Sequence, residues 1–105
     1  MTVIVTVFRS RLHAGVEELY QTLANEMSTI AKGLPGFIEE KTYAAEDGER
    51  VTIVLFADHT THDAWRTHPK HQVAQKTGRE KLYSEYHVYS AEVSYTKSFP
   101  FDAIS

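Results

Sequence analysis

Residues 3–8 have the sequence VIVTVF, in which apolar, β-branched and aromatic side chains fall on both alternating faces. Such residues favour strands, and a strand that is apolar on both faces is covered on both sides. The run therefore predicts a central strand of a sheet. Residues 51–56, VTIVLF, have the same character and predict a second central strand.

Between these two strands, residues 15–31 carry apolar side chains at steps of three and four, the spacing that places them on one face of a helix. Gly33 can adopt the left-handed conformation that closes a helix, and Pro35 prevents its continuation. We expect the helix to end near Lys32. The apolar positions are Val16, Leu19, Tyr20, Leu23, Met27 and Ile30.

A hairpin is predicted next. Residues 37–44 mix apolar and charged side chains on both faces, which indicates an edge strand. Asp47-Gly48 predicts a tight turn into residues 51–56, because glycine tolerates positive φ. Simple alternation assigns one face of the edge strand to Phe37, Glu39, Lys41 and Tyr43.

A short helix and a longer one follow the hairpin. Thr60 and Asp63 have the spacing of a capping box and open the short helix, which carries Trp65. Proline disfavours helical geometry in the residue before it and suits a first helical turn. The chain therefore breaks at His68, and a second helix is predicted over residues 69–82.

The last strand is predicted over residues 86–95, and residues 98–105 form a tail without a clear period. The order β-α-β-β-α-β predicts one domain over residues 1–105, with a ferredoxin-like α+β fold and an antiparallel four-stranded sheet. In that topology the first and third strands are central, as their apolar patterns require. The helices can cover only one face of the sheet, so we expect a homodimer whose sheets pack together or close into a shared barrel.

Composition narrows the classes of function. The 105 residues include 11 basic and 14 acidic side chains, a net charge of −3, and no cysteine. This balance argues against a nucleic-acid or membrane-surface partner, and the lack of cysteine excludes disulfides and thiol chemistry and fits the cytoplasm. The amino-terminal run is far shorter than the roughly 20 apolar residues of a membrane span.

Four of the six histidines lie within residues 58–71. His59 and His62, and likewise His68 and His71, have the three-residue spacing that brings two imidazoles together on a helix. However, the first pair straddles a predicted cap and the second lies at a helix break. We therefore predict polar surface histidines and no metal site.

A series of short motifs runs along the chain: EDGERVT at residues 46–52, Ala64-Trp65, His68-Pro69-Lys70-His71, Ala74-Gln75, Gly78-Arg79-Glu80 and Tyr83-x-x-Tyr86. In order and spacing, from about residue 2 to residue 95, the chain resembles the antibiotic biosynthesis monooxygenase family. The resemblance implies a dimeric α+β barrel with a ligand cavity between the helices and the sheet of each protomer.

Two branches of that family differ in chemistry. One oxygenates electron-rich phenols, quinols or polyketide-derived aromatics without flavin, metal or haem, and the other degrades haem. The haem-degrading pattern has an Asn on the first strand and a ligand His ten residues after the tryptophan. Here the first strand has no Asn, and Gln75 stands ten residues after Trp65. The resemblance therefore implies a monooxygenase, an oxidoreductase that uses no cofactor.

Oxygenation without a cofactor needs a substrate anion that can give an electron to dioxygen, so the protein must remove a proton and stabilise the anion. His71 is the candidate base, since an imidazole titrates near neutral pH. Arg79 is the candidate partner of the anion, although eight helical residues set the two side chains about 80° apart. Candidate substrate-binding residues are Trp65, His68 and Tyr83.

Structural roles stay open for the same residues. Trp65 and Tyr83 suit a core, His71 could cap a helix, and Arg79 could pair with Glu80. The alternative function is a non-catalytic dimeric module that binds a small ligand in the same cavity. Further polar side chains facing the cavity from the first and last strands would favour an enzyme, and the candidates are Thr6, Ser90 and Ser94.

Overall fold

Four antiparallel strands form one sheet in the order β2-β3-β1-β4. The structure, a computed structural model, describes residues 2–100. Its strands are β1 (Ile4–Leu12), β2 (Phe37–Ala44), β3 (Arg50–Phe56) and β4 (Tyr83–Glu92). Its helices are α1 (Glu17–Lys32), α2 (His59–Arg66) and α3 (Pro69–Thr77), and a π-helical turn over Gly78–Leu82 follows α3.

The predicted ferredoxin-like α+β fold is confirmed, with β1 and β3 at the centre of the sheet. The core lies between these strands and the helices. Phe56 is fully buried, stacks on Trp65 at 5.3 Å between ring centroids, and meets Phe37 edge-on at 5.9 Å. Burial of each such side chain stabilises the fold by about 1.5–3 kcal/mol.

The edge strand β2 has the predicted bounds, but the prediction that Phe37 shares a face with Glu39 is wrong. Phe37 lies opposite Phe56, whereas Glu39 lies opposite Leu55, so one extra residue bulges between them. The bulge places Phe37 on the helix-covered face and the Glu39 side chain on the opposite face. The turn after β2 is as expected, with Gly48 at φ 91°.

Helix α1 ends at Lys32 as predicted, but not through a left-handed Gly33, whose φ is −87°. Instead, the amide N–H of Gly33 donates to the Ile30 carbonyl and that of Leu34 to the Ala31 carbonyl, which tightens the last turn. The left-handed glycine is Gly36, at φ 81°, where a Cβ atom would overlap the Thr61 side chain.

The capping box of α2 begins two residues before the predicted one. The Asp58 carboxylate accepts from the Thr61 amide at 2.9 Å, and the Thr61 hydroxyl oxygen accepts from the Asp58 amide at 3.4 Å. A carboxylate at the N-cap also suits the positive end of the helix. The predicted break at His68 is confirmed, because Pro69 opens α3.

The predicted helix over residues 69–82 is divided. The α-helix ends at Thr77 and the π-helical turn carries the chain to Leu82, so β4 spans Tyr83–Glu92 rather than residues 86–95. Strand β1 continues to Leu12 and pairs with β4 over this length. Of the predicted tail, residues 101–105 lie outside the described residues.

The second face of the sheet carries no helix. It presents Val5, Val7, Ile53 and Leu55 at its centre, all partly exposed, and the half-exposed Tyr89 on β4. Among residues 2–100, the longest helix has 16 residues and none combines the length and apolar character of a membrane crossing.

Candidate functional site

A cavity of about 320 Å³ lies between the sheet and the helices. This volume is at the lower end of the range typical of small-molecule sites, about 300–1,000 Å³. Its aromatic walls are Phe8, Tyr20, Trp65, Tyr83 and Tyr86. Its polar and charged lining consists of Thr6, Glu40, Thr42, Thr52, His71, Gln75 and Arg79.

Four of the five predicted site residues line this cavity: Trp65, His71, Arg79 and Tyr83. His68 is not among the lining residues. Its Nδ1 accepts from the Lys70 amide at 3.1 Å and caps α3, so its substrate contact stays a prediction.

The two predicted catalytic residues lie on consecutive helical segments, His71 on α3 and Arg79 on the π-helical turn that begins at Gly78. A continuous α-helix would set the two side chains about 80° apart around its axis. Both side chains line the cavity.

Trp65 belongs to the core and to the cavity at once. Only 9 % of it is exposed; one neighbour is Phe56, and the other is the His71 imidazole at 4.6 Å between ring centroids. The two roles that the sequence left open are therefore compatible. The indole fixes one wall of the cavity by packing in the core.

Burial lowers the pKa of His71 below its usual range, and the nearby His68 and His62 lower it further, while the Arg66 carbonyl opposes the shift. The imidazole is therefore neutral at neutral pH and able to accept a proton. Its Nδ1 lies 3.4 Å from the Arg66 carbonyl oxygen and 3.1 Å from the Gln75 side-chain amide.

Tyrosines at the other end of the cavity are hydrogen-bond donors rather than bases. Burial raises the pKa of Tyr83 to about 12, and the Tyr83 ring meets Phe8 edge-on at 5.3 Å. Burial also raises the pKa of Tyr20, over whose ring the Arg50 guanidinium lies at 4.9 Å. Both hydroxyls keep their protons at neutral pH.

Arg79 forms no ion pair within residues 2–100, so the alternative pairing with Glu80 is not seen there. The other charged side chain of the cavity lining is Glu40 on β2. A guanidinium without a carboxylate partner is suited to an anionic ligand.

Sequence reasoning missed His62, which was expected at the surface. It is 5 % exposed, and its Nε2 lies 2.8 Å from the Thr6 hydroxyl and 3.4 Å from that of Ser90. A signal was available: His62 and Trp65 are three residues apart on α2, so an inward Trp65 brings His62 inward too. Ser94 lies beyond the end of β4.

The two histidine pairs that the sequence spacing singled out do not assemble into a cluster. His59 is exposed and lies 2.7 Å from the Glu92 carboxylate. Across residues 2–100, no group of three or more His, Cys, Asp or Glu side chains is arranged to hold a metal ion.

Comparison with known proteins finds relatives by sequence and by structure. No family model matches the chain. The uncharacterized protein YqjZ of Bacillus subtilis is 30% identical over 80 residues, which are 76% of this chain and 70% of that protein. Jasmonate monooxygenase ABM of Pyricularia oryzae is 26% identical over 90 residues, 84% of this chain but 42% of that protein.

A solved structure has the same fold. SnoaB, a cofactor-independent oxygenase from Streptomyces nogalater, superposes with a TM-score of 0.77 and 16% identity, covering 90% of this chain and 95% of that one. At this identity the likeness concerns the fold. The sequence relatives and the fold agree with the resemblance that the motifs carry.

Proposed function

The chain belongs to the antibiotic biosynthesis monooxygenase family, and from this premise we propose that it is a cofactor-independent monooxygenase. Its substrate is a small electron-rich aromatic, a quinol, phenol or polyketide-like compound, which it oxidises with molecular oxygen. The observation that carries the proposal is the neutral imidazole of His71 packed on Trp65 in the wall of an aromatic cavity.

The first step is removal of a proton. Triplet dioxygen reacts slowly with closed-shell aromatics, and a phenolate gives up an electron far more readily than a phenol. His71 is the proposed catalytic base, because its lowered pKa keeps the imidazole unprotonated at neutral pH. The structure places the Gln75 amide nitrogen 3.1 Å from Nδ1, and in the proposed reacting form this amide is rotated so that its oxygen faces the imidazole. A proton on Nδ1 then has the Arg66 and Gln75 oxygens as acceptors, and Nε2 takes the substrate proton.

The second step is oxygen transfer. The phenolate gives one electron to dioxygen, and the radical pair combines to form a carbon–oxygen bond and a peroxide anion. The imidazolium returns its proton to the peroxide. Loss of water then leaves a quinone carbonyl, so each turnover consumes one dioxygen and forms one quinone and one water.

The cavity stabilises the anion in this scheme. Arg79 supplies a positive charge that no carboxylate of residues 2–100 pairs with, and the Tyr83 hydroxyl donates a hydrogen bond because its pKa is raised to about 12. The aromatic walls exclude water from the radical pair and the peroxide. Trp65 and Tyr83 are the proposed substrate-binding residues.

The proposal includes a homodimer. The apolar centre of the helix-free sheet face, with Val7 and Ile53 in the middle and Tyr89 beside them, is left partly exposed by the residues that the structure describes, 2–100. At about 25 cal/mol per Å², burial of a few hundred Å² favours association by several kcal/mol before entropy is subtracted. A second copy of the same sheet face provides that cover.

Oxygen consumption tests the function. The purified chain is incubated with a panel of quinols and naphthols in an oxygen electrode, with and without added metal or flavin. We expect consumption without additions for at least one compound, with one atom of ¹⁸O from ¹⁸O₂ in the quinone product. If no compound consumes oxygen although one binds, the chain is the non-catalytic binding module instead.

A further inference from the structure

A series of polar side chains, close enough to hydrogen-bond, lies behind the cavity wall. Thr6 lines the cavity from β1, and its hydroxyl oxygen lies 2.8 Å from His62 Nε2 and 2.6 Å from the Ser90 hydroxyl. On its other side, His62 Nδ1 lies 3.5 Å from a carboxylate oxygen of Asp63, which is exposed at the surface. These polar side chains connect the cavity with the surface of the domain.

The direction of the hydrogen bonds between these side chains follows from Asp63, the one that lies at the surface. The negative charge of Asp63 favours a proton on the nearer ring nitrogen of His62, Nδ1. Nε2 is then an acceptor, and the nearer hydroxyl is that of Thr6, which donates its one proton there.

Thr6 is left without a proton to offer to the cavity. Its oxygen has two acceptor positions, and the Ser90 hydroxyl at 2.6 Å donates to one of them. Neither neighbour occupies the second acceptor position, and Thr6 is one of the residues that line the cavity. Behind this wall, Phe56 and Trp65 pack against the His62 ring.

We propose that Thr6 determines specificity by accepting a hydrogen bond from a second ligand hydroxyl, distinct from the one that His71 deprotonates, and that His62 and Asp63 are positioning residues that set this direction. The inference deepens the proposed function, on which it rests for the aromatic nature of the ligand. An ether or keto group at this point offers no proton, so it would leave the Thr6 oxygen unpaired.

Asp63 is the charged group closest to the His62 ring. It lies on the same helix and is also 3.6 Å from Arg66, while His71 faces His62 from α3. The strands present the uncharged side chains of Thr6, Phe56 and Ser90.

Binding of two matched probes tests the proposal. Dissociation constants of 1,4-dihydroxynaphthalene and 4-methoxy-1-naphthol are measured by calorimetry under nitrogen for the wild type, Thr6→Val and Thr6→Ser. Both probes keep one hydroxyl for His71, and they differ only at the second. We expect the wild type and Thr6→Ser to prefer 1,4-dihydroxynaphthalene roughly tenfold, and Thr6→Val to lose the preference. Thr6→Ala, which also lacks the hydroxyl, takes the place of Thr6→Val if that protein does not fold.

Substitution of Asp63 separates positioning from packing, because its side chain is exposed and lies 3.5 Å from His62 Nδ1. In Asp63→Ala the charge that favours a proton on Nδ1 is absent, so the part of the preference that requires the Thr6 hydroxyl should fall. Asp63→Glu keeps the charge and should recover part of that preference. A wild-type preference in Asp63→Ala, or an equal loss in Asp63→Ala and Asp63→Glu, overturns the positioning role.

The remaining outcomes also decide the matter. An unchanged preference in Thr6→Val, or no binding of 1,4-dihydroxynaphthalene by the wild type, overturns the specificity role. Because the titrations need no turnover, a Thr6-dependent preference without oxygen consumption contradicts only the proposed oxygenase activity. Oxygen consumption without that preference contradicts only the role of Thr6.

Discussion

The imidazole of His71 lies against the indole of Trp65, with ring centroids 4.6 Å apart and planes inclined by 40°. Trp65 is itself held by stacking on Phe56, which with Ile4 is one of the two largest fully buried side chains of the core. The core therefore fixes the position of the imidazole and removes water from one of its faces. This burial is the main reason why the pKa of His71 is lowered.

Replacement of the proposed base should lower activity in a pH-dependent way. In His71→Ala we expect kcat/KM with an active naphthol or quinol to fall roughly 10²–10⁴-fold near neutral pH, because no group takes the phenolic proton. The loss should shrink at high pH, where the substrate ionises unaided. Oxygen consumption across pH measures both effects.

The control for this variant is Trp65→Phe, which keeps an aromatic wall but cannot act as a base in either form. It should change substrate affinity or stability and keep a single acid limb, which moves to higher pH only as far as the smaller ring exposes His71 to water. A His71→Ala protein with full activity at every pH would show that another group, such as His68 or water, takes the proton.

A charged substitution at Gln75 should shift the pKa of His71. Its side-chain amide lies 3.1 Å from Nδ1, so Gln75→Glu places a carboxylate beside the imidazole and stabilises the charged form. The pKa of His71 should rise, and the acid limb of kcat/KM should move to higher pH, since the base is protonated earlier. The uncharged variant Gln75→Leu should not move that limb upward, and ¹H NMR titration of the imidazole checks the shift directly.

Two substitutions of Arg79 separate the effect of its charge from that of its planar guanidinium. Arg79→Gln removes the charge and should lower kcat/KM by roughly tenfold or more if the guanidinium stabilises the phenolate. Arg79→Lys keeps the charge without the planar fork and should recover part of the loss. Equal activity of all three proteins at neutral pH would assign Arg79 a role outside the reaction.

Much of the fold follows from patterns in the sequence. The two doubly apolar runs identify β1 and β3 as central strands, because only strands covered on both faces need such runs. The turn at Gly48 and the break before Pro69 follow from residues with few backbone options. Of the candidate site, Trp65, His71, Arg79 and Tyr83 line one cavity as the resemblance implied.

The remaining features depend on contacts between distant residues. The bulge between Phe37 and Glu39 depends on the register with β3, which no pattern within β2 specifies. The π-helical turn at residues 78–82 is too short to have a period of its own. His62 seemed a surface residue because its partners, Thr6 and Ser90, are 56 and 28 positions away in the sequence.

Gly78 should be sensitive to the addition of one methyl group. A Cβ atom there would lie 2.6 Å from the ring of Tyr83, so the ring or the π-helical turn would have to shift. We expect Gly78→Ala to lower the free energy of unfolding by about 1–3 kcal/mol in urea titrations and to weaken ligand binding. Gly33→Ala is the matched control, since its nearest atoms are at 3.6 Å and its φ of −87° suits alanine. If both variants are equally stable, the contact with Tyr83 does not restrict this position.

The proposed dimer makes the open sheet face sensitive to charge. Ile53 lies at the centre of that face, next to Val7 in the pairing of β1 with β3. The wild type should sediment at about twice 12.0 kDa at micromolar concentration. Ile53→Lys should shift the equilibrium to the monomer, because a lysine ammonium would be buried without a partner between the two sheets.

Val73→Lys on α3 is the control, as Val73 is 64 % exposed and lies outside that face, and it should remain dimeric. A folded wild type that sediments as a monomer would show that the open face has another cover, and an unchanged Ile53→Lys dimer would show that the chains associate through a different surface.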